Sequence, residues 1–539
     1  MKYIFFIWLC LTTFSANAQK ITQQKYQLPL LIGKERNPVL RLAIHTVEAK
    51  TINGLSLVVP ANGEDIDYVE LFAVAQDSTF ITDAKLQKAT PIAKGNGNQT
   101  KQLLLKGDYK LKAGTNYFWL TLALKPAAGM QHRLNVSVST VTLDGKKVEV
   151  NQPQPLHQYV AVALRQHNQE NVHTHRIPGL TTAKDGSLLA VYDARRTKGG
   201  DLQGDIDIGL SRSLDKGKTW LPMQVVLDMG EWGGLPQKFN GVSDACILVD
   251  KKTGDIFVAG LWMYGVINKD GKWVEGLNEQ STDWNHQWRD KGSQPGFDVK
   301  QTSQFMITKS SDNGKTWSKP LNITKMGKKE EWWLWAPAPG AGITLKDGTL
   351  VFPTQGRDKT GKPFSNITYS KDHGVTWTTS NAATDESTTE NMAVELSNGT
   401  VMLNMRANSN RTDTSSSNGR AIAVTENLGQ SWTIHPTSHN ALQEPTCMAS
   451  IIRHDYLKSG AKKSILIFCN PDSKVARNFI SLKVSKDDGK TWQKKMVFDE
   501  WKGRGYSCIT SIDEETIGVL YESSQADLVF QAVKLEDLL

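Results

Sequence analysis

Short apolar runs dominate the chain, and most of them have the two-residue period of strands. Residues 39–45, 55–59, 117–124 and 134–141 are β-branched or alternating stretches separated by Gly, Asn and Asp turns. No segment keeps an apolar face at helical spacing over several turns. The pattern predicts an all-β protein. Asn151-Gln152-Pro153-Gln154-Pro155 interrupts it with prolines, which predicts a linker between a small β-sandwich over 24–153 and a larger domain over 156–539.

The larger domain carries a repeat. Ser213-Leu214-Asp215-Lys216-Gly217-Lys218-Thr219-Trp220 has the form S-x-D-x-G-x-T-W, which returns at 310–317, 370–377 and 485–492, with a degenerate copy at 425–432. The closing tryptophans lie 97, 60, 55 and 60 residues apart. Each box reads as a hairpin: the Asp or Asn bonds its own turn, Gly takes a positive φ, and Thr-Trp starts the returning strand. The carboxylate of the box is therefore assigned to structure, not chemistry. Repeats of this length built from short strands predict a propeller. Five boxes give five blades, and strands near 508–511, 516–521 and 528–533, closed by one at 158–165, supply a sixth. The excess of about 40 residues in the first interval is assigned to an insertion near 265–300.

Composition adds mainly exclusions. Of 539 residues, 39% are hydrophobic and 22% charged, which fits a globular chain. The net charge of +8 is mild and has no Lys/Arg block behind it, so no nucleic-acid partner is expected. Lys2, the apolar residues 4–11 and Ala16-Asn17-Ala18 form a secretory signal peptide over 1–18, too short to span a bilayer. Export to the periplasm, cell surface or medium is expected, without stable membrane insertion. After cleavage Cys246, Cys447, Cys469 and Cys508 remain, none in a zinc-ligand spacing. They are expected to be buried thiols or to form one structural bridge.

His175-Arg176-Ile177-Pro178 ahead of the first box, together with the boxes, resembles the bacterial sialidases, exo-acting enzymes that release terminal sialic acid. The resemblance runs from about residue 160 to the C-terminus and implies a six-bladed propeller with a central site. It also implies three arginines from distant blades that grip the substrate carboxylate: Arg176, Arg406 in Met402-Leu403-Asn404-Met405-Arg406, and Arg477 in the Asn470–Asn478 stretch, where Lys474 lies nearby. Planar guanidinium groups suit that task because they stay charged and bind carboxylates bidentately. The family's nucleophile is a tyrosine, the known exception among glycosidases. Tyr506 matches it and Glu390 matches its base; Glu395 is the neighbouring carboxylate. A phenol near pKa 10 needs such a base at neutral pH.

In Tyr192-Asp193-Ala194-Arg195-Arg196-Thr197-Lys198-Gly199-Gly200-Asp201 the resemblance assigns Asp201 as acid/base, with Asp205 and Asp207 as alternatives, and Arg195 to the sugar's O4 hydroxyl. Glu522 matches the carboxylate that orients the first arginine. Asp244, in Asn240–Ala245, could line the N-acetyl or O4 pocket, and Trp284, Trp288, Trp332, Trp333 and Trp335 could form aromatic walls. The implied reaction needs no cofactor or metal, takes sialylated glycans, and is expected of a monomer. A trans-sialidase, a glycosidase of a related nonulosonic acid and a non-catalytic glycan-binding propeller are the alternatives. An accessory, carbohydrate-binding role is open to the N-terminal sandwich.

Overall fold

The computed structural model describes residues 20–74, 81, 83–97, 101–202, 204–234, 236–264, 293–299 and 301–539. The expected signal peptide, Trp284, Trp288 and most of the expected insertion lie outside the described residues. Strands make up nearly all the regular structure, and the α-helices Asp83–Lys88 and Thr324–Gly327 are short. Among the described residues no helix is long and apolar enough to cross a membrane. The chain divides into two compact units: one of Lys34–Ala128 and Arg133–Gln158 with the chain up to Tyr26, the other of Tyr159–Leu539 with the short segments Gln27–Gly33 and Gly129–His132.

The N-terminal unit is an antiparallel β domain. Its nine strands run in the order Lys20–Lys25, Asn37–Thr46, Gly114–Leu124, Ile66–Val74, Ala93–Asn96, Gln102–Leu111, Lys50–Val58, Ser137–Leu143, Lys146–Glu149. Ala93–Asn96 and Gln102–Leu111 meet through the pair Lys94–Lys106. Leu40, Leu42, Ile44, Leu57, Phe118 and Leu120 are fully buried.

The second unit has a propeller-like arrangement of sheets. Thr174–Thr182, Leu188–Arg195, Ile206–Ser213 and Gln224–Leu227 form one antiparallel meander, and Asn240–Val249, Ile256–Tyr264, Gln304–Ser310 and Leu321–Asn322 form the next. A single parallel pair, Ile206–Gly241, joins the two into a larger sheet. Three further meanders follow: Leu334–Pro337, Leu350–Arg357, Pro363–Ser370, Thr378–Thr379; then Thr388–Glu395, Val401–Ala407, Ala421–Thr425, Thr433–Ile434; then Ser450–Lys458, Ala461–Pro471, Ile480–Ser485, Gln493–Asp499. The last sheet contains Ser507–Asp513, Thr516–Tyr521 and Leu528–Lys534, and Gln158–Arg165 pairs with its final strand. A strand from the start of this unit thus completes the sheet at its end.

Each box joins the third and fourth strands of a meander, and its Asp is occupied by its own turn. Asp215 accepts from Thr219 N at 2.9 Å, Thr219 Oγ1 at 2.6 Å and Ser213 Oγ at 2.8 Å, while Gly217 N donates to Ser213 Oγ at 2.8 Å. The boxes at 312, 372 and 487 repeat the set. Glycine is required twice over. Gly217 and Gly374 have φ of 90° and 84°, and a Cβ on either would sit inside van der Waals contact of a ring from the preceding sheet, Phe530 and Phe257 respectively. The residue before Gly is also left-handed in every box, at Lys216, Asn313, His373, Leu428 and Asp488, which the residue types do not announce. Trp220 meets Phe530 at 5.1 Å, so the box docks one sheet onto the sheet before it. The four described cysteines are free and buried, so the disulfide alternative does not hold.

Candidate active site

In each meander the innermost strand begins, and its antiparallel partner ends, at the same edge. Arg176, Asp244 and Glu390 lie near the start of such inner strands and Tyr506 immediately precedes one; Arg195, Arg406 and Glu522 lie at or just beyond the ends of second strands. Three inner strands are irregular at the site: register shifts fall between Arg176 and Gly179, Ser243 and Cys246, and Thr388 and Asn391. Ile177 and Asp244 both take φ of 59° there. Bulges re-aim the side chains beside them, which turns inner-strand residues toward the mouth of the fold.

Glu522 organises the first arginine. Its fully buried carboxylate accepts from Arg176 Nε at 2.9 Å and Nη2 at 3.2 Å, and from the backbone N–H groups of Ile177 at 3.0 Å and Tyr506 at 3.1 Å. Burial alone would push this carboxyl up; Arg176 and the two N–H donors more than offset that and hold it below its ordinary value. One carboxylate therefore fixes both an arginine and the backbone of the tyrosine.

Tyr506 is 5% exposed, and its hydroxyl donates a short hydrogen bond to Glu390 Oε1. Arg406 Nη1 bridges the pair, donating to Glu390 Oε2 at 2.6 Å and to Tyr506 Oη at 3.1 Å. The guanidinium carbons of Arg176 and Arg477 stand 5.2 and 5.4 Å from the Tyr506 ring centroid. Three arginines from three different sheets thus converge on one phenol. Burial and the charge of Glu390 push that phenol well above its usual range, so it rests neutral at physiological pH.

Arg477 hangs from a loop, its guanidinium held by the carbonyl oxygens of Arg504 at 3.1 Å and Thr446 at 3.3 Å. Gly505, at φ of 88°, lets that loop pass: a Cβ there would stand 2.9 Å from Arg477 Cβ and Pro471 Cγ. Lys474 instead donates to Ser415 O, away from the phenol.

Asp201 sits on the loop after Leu188–Arg195 with a side chain 70% exposed. It accepts from Arg176 Nη1 at 2.9 Å and Arg195 Nη1 at 2.5 Å. Its surroundings push the carboxyl up, but Arg195 and Arg176 outweigh them and hold it below its ordinary value. Asp207 is tied to Arg196 at 2.8 Å and pushed up to about 7 by burial and Asp228. Of the three aspartates considered, Asp201 is the one joined to the site arginines. Glu395 accepts from Lys346 N and takes no part.

Asp193 and Cys447, which sequence reading left unassigned, complete the cluster together with the expected Asp244. Asp193, fully buried, accepts from Arg195 Nη2 at 2.9 Å, Ser243 Oγ at 2.5 Å and Asp244 N at 3.1 Å. Its signal was available: Asp193 and Arg195 are two apart on one strand and so share a face. Asp244 faces Asp193, Glu390 and Asp201, and burial with these like charges pushes its carboxyl well up. Cys447 borders Arg477 and Arg406, its thiol pushed up to about 11 by burial. Trp332 and Trp335 do not line the site: they pack against Phe364 at 4.7 Å and Phe305 at 4.4 Å in the core, and Trp333 Nε1 donates to Lys359 O.

Two family models match the chain: a BNR repeat-like domain over 177–522 and the N-terminal domain of BNR-repeat neuraminidase over 18–147. A sialidase of Bacteroides fragilis is 39% identical, with 99% of this chain and 98% of that protein covered. The solved structure of a Hadza microbial sialidase matches at a TM-score of 0.85 and 34% identity, covering 96% of this chain and all of that one. An intramolecular trans-sialidase from Ruminococcus gnavus shares the fold at a TM-score of 0.54 and 18% identity, over 70% of this chain and 98% of its own.

Proposed function

The chain belongs to the BNR-repeat neuraminidase (sialidase) family of glycoside hydrolases, and from that premise we propose that it is a retaining exo-α-sialidase acting on terminal sialic acid of glycoproteins, glycolipids and oligosaccharides. The observation that carries the reading is the joining of Tyr506 to Glu390 and Arg406 beneath two further arginines. A sialoside bears a carboxylate on its anomeric carbon. Arg176, Arg406 and Arg477 bind that anion, and a neutral phenol can approach where a carboxylate nucleophile would be repelled.

In the first step protonated Asp201 gives its proton to the glycosidic oxygen and the C–O bond breaks. Tyr506 Oη bonds to the anomeric carbon as its proton passes to Glu390. In the second step Asp201 takes a proton from water, the water oxygen attacks the anomeric carbon as its bond to Tyr506 Oη breaks, and Glu390 returns its proton to the released Tyr506 oxygen. Two displacements give net retention.

The substrate also sets the state of the acid. In the empty site two arginines favour ionised Asp201; a bound carboxylate engages Arg176 and adds a negative neighbour, which favours the protonated form that donation requires. Arg195 and Asp244 are assigned to the sugar's O4 and N-acetyl side, with Asp193 fixing Arg195.

We read the second unit as six blades, with residues 156–539 as the catalytic propeller and 24–153 as an accessory domain. Four-strand meanders, boxes that each dock on the preceding sheet, and a last sheet completed by Gln158–Arg165 support the count. Residues 1–18 are proposed to direct export.

The test is hydrolysis of a fluorogenic α-sialoside followed by proton NMR of the product. The α-anomer of free sialic acid should appear first, and Tyr506→Phe should lower turnover by about 10²–10⁴-fold while sialic acid still binds. A β-anomer appearing first, or full activity in the variant, would contradict the assignment. A transfer product in place of the free acid would favour the trans-sialidase alternative.

A further inference from the structure

A cavity of about 410 Å³ opens beside the carboxylate-binding arginines, a size in the range of ligand sites. Arg406 and Arg477 line it together with Arg411, Lys474, Val475 and Thr446. Four of its nine lining residues are cations and none is an acid.

The acids around it are already engaged. Glu444 is fully buried against Arg420 at 2.5 Å. Asp472 bridges Lys483 and Lys494, each at 2.8 Å. Asp413 accepts from Ser415 N and Ser417 Oγ of its own turn. Arg411 is exposed and makes no ion pair among the described residues. Thr446 is 5% exposed, takes φ of 52°, and its buried hydroxyl has no hydrogen-bond partner among the described residues. Val475, 78% exposed, offers an apolar surface at the rim.

One sialic acid brings one carboxylate, which the three arginines at Tyr506 take up. Arg411 and Lys474 are in excess of that need, and a cleft lined by a single sign of charge attracts a counter-charge. The anomeric carbon carries both the carboxylate and the glycosidic oxygen. A cavity that shares Arg406 and Arg477 therefore lies within reach of what is attached through that oxygen. Arg477 is also near enough to Asp201, the acid for the leaving oxygen, to help hold its carboxyl down.

Resting on the sialidase reading, we propose that this cavity is a leaving-group subsite for an anionic sugar, one that bears a carboxylate or a sulfate ester. Arg411 and Lys474 bind the anion, the Thr446 hydroxyl supplies a hydrogen bond, and Val475 contacts the sugar face.

The test compares kcat/KM of the full chain and its Arg411→Gln/Lys474→Gln variant on three substrates. One releases neutral lactose, one is an α2,8-linked disialyl oligosaccharide whose leaving sugar carries a carboxylate, and one is a sialylated sulfated disaccharide. The variant should lose roughly three- to tenfold on an anionic leaving group and stay within about twofold on lactose release. The substrate that shows the loss identifies the anion. An equal loss on all three, or no loss on any, would overturn the subsite. Wild-type inactivity on the lactose substrate would instead overturn the sialidase reading on which it rests, and retained lactose release by the variant shows that it is folded.

Discussion

Glu522→Gln tests how the site is held together. The substitution keeps size and one acceptor but removes the charge that meets Arg176 at 2.9 and 3.2 Å and the N–H groups of Ile177 and Tyr506 at 3.0 and 3.1 Å. Breaking a buried pair so that its partner is left charged costs about 3–5 kcal/mol. Arg176 retains Asp201 at 2.9 Å, but that side chain is 70% exposed and solvent-screened, so it offsets only part of the loss. A net cost of about 2–4 kcal/mol follows, or a fall of about 2–5 °C in Tm for a unit of this size. Differential scanning calorimetry of both proteins across pH measures it. Glu522 has its folded pKa below the unfolded one, so its contribution is present above the unfolded value near 4.5 and is lost as pH falls through the folded value. The Tm gap should therefore close on the acid side of 4.5. Because the same carboxylate aims Arg176 and the Tyr506 backbone, kcat/KM should also drop by about 10²-fold. Equal Tm values, or a gap independent of pH, would refute the reasoning.

Asp201→Ala should slow release of a sugar far more than release of an acidic phenol, because only the sugar needs a proton; equal losses would remove Asp201 as the acid. The alkaline limb of kcat should lie at higher pH than that of kcat/KM, since the bound carboxylate favours protonated Asp201; coincident limbs would contradict this. Gly505→Ala should weaken activity through the Arg477 loop, as its Cβ would crowd Arg477 and Pro471 at 2.9 Å, and an unchanged KM would show that the loop gives way. Asp372→Ala should cost about 1–3 kcal/mol with an unchanged KM, because the carboxylate bonds only its own turn. Those bonds hold its pKa down to about 2, so its contribution should fade as pH drops from 3.8 toward that value.

The parts of this molecule legible in the sequence are those set by local chemistry. The boxes announce their hairpins because Ser, Asp, Gly and Thr satisfy one another within eight residues, and strand alternation announces the all-β class. The arginines, Tyr506, Glu390, Asp201 and Glu522 were nameable through short motifs, and the structure brings all of them to one edge. What was hidden depends on geometry between distant residues. No local pattern reports the bulges at Ile177, Asp244 and Glu390, and the positive φ of Ile177 and Asp244 leaves no compositional mark. The burial of Trp332 and Trp335 was equally hidden, because an aromatic at a strand end reads alike whether it faces a core or a ligand. For Asp193 only the pairing with Arg195, two residues on, was legible; its other partners, Ser243 and Asp244, belong to another meander.

The most direct test of the account is to trap the intermediate. The protein is incubated with a 2,3-difluorosialic acid, digested and read by peptide mass spectrometry. The account predicts a single sialyl adduct on the hydroxyl of Tyr506, abolished by Tyr506→Phe and greatly slowed by Glu390→Gln. An adduct on a carboxylate, or complete inactivation with Tyr506 unmodified, would contradict it.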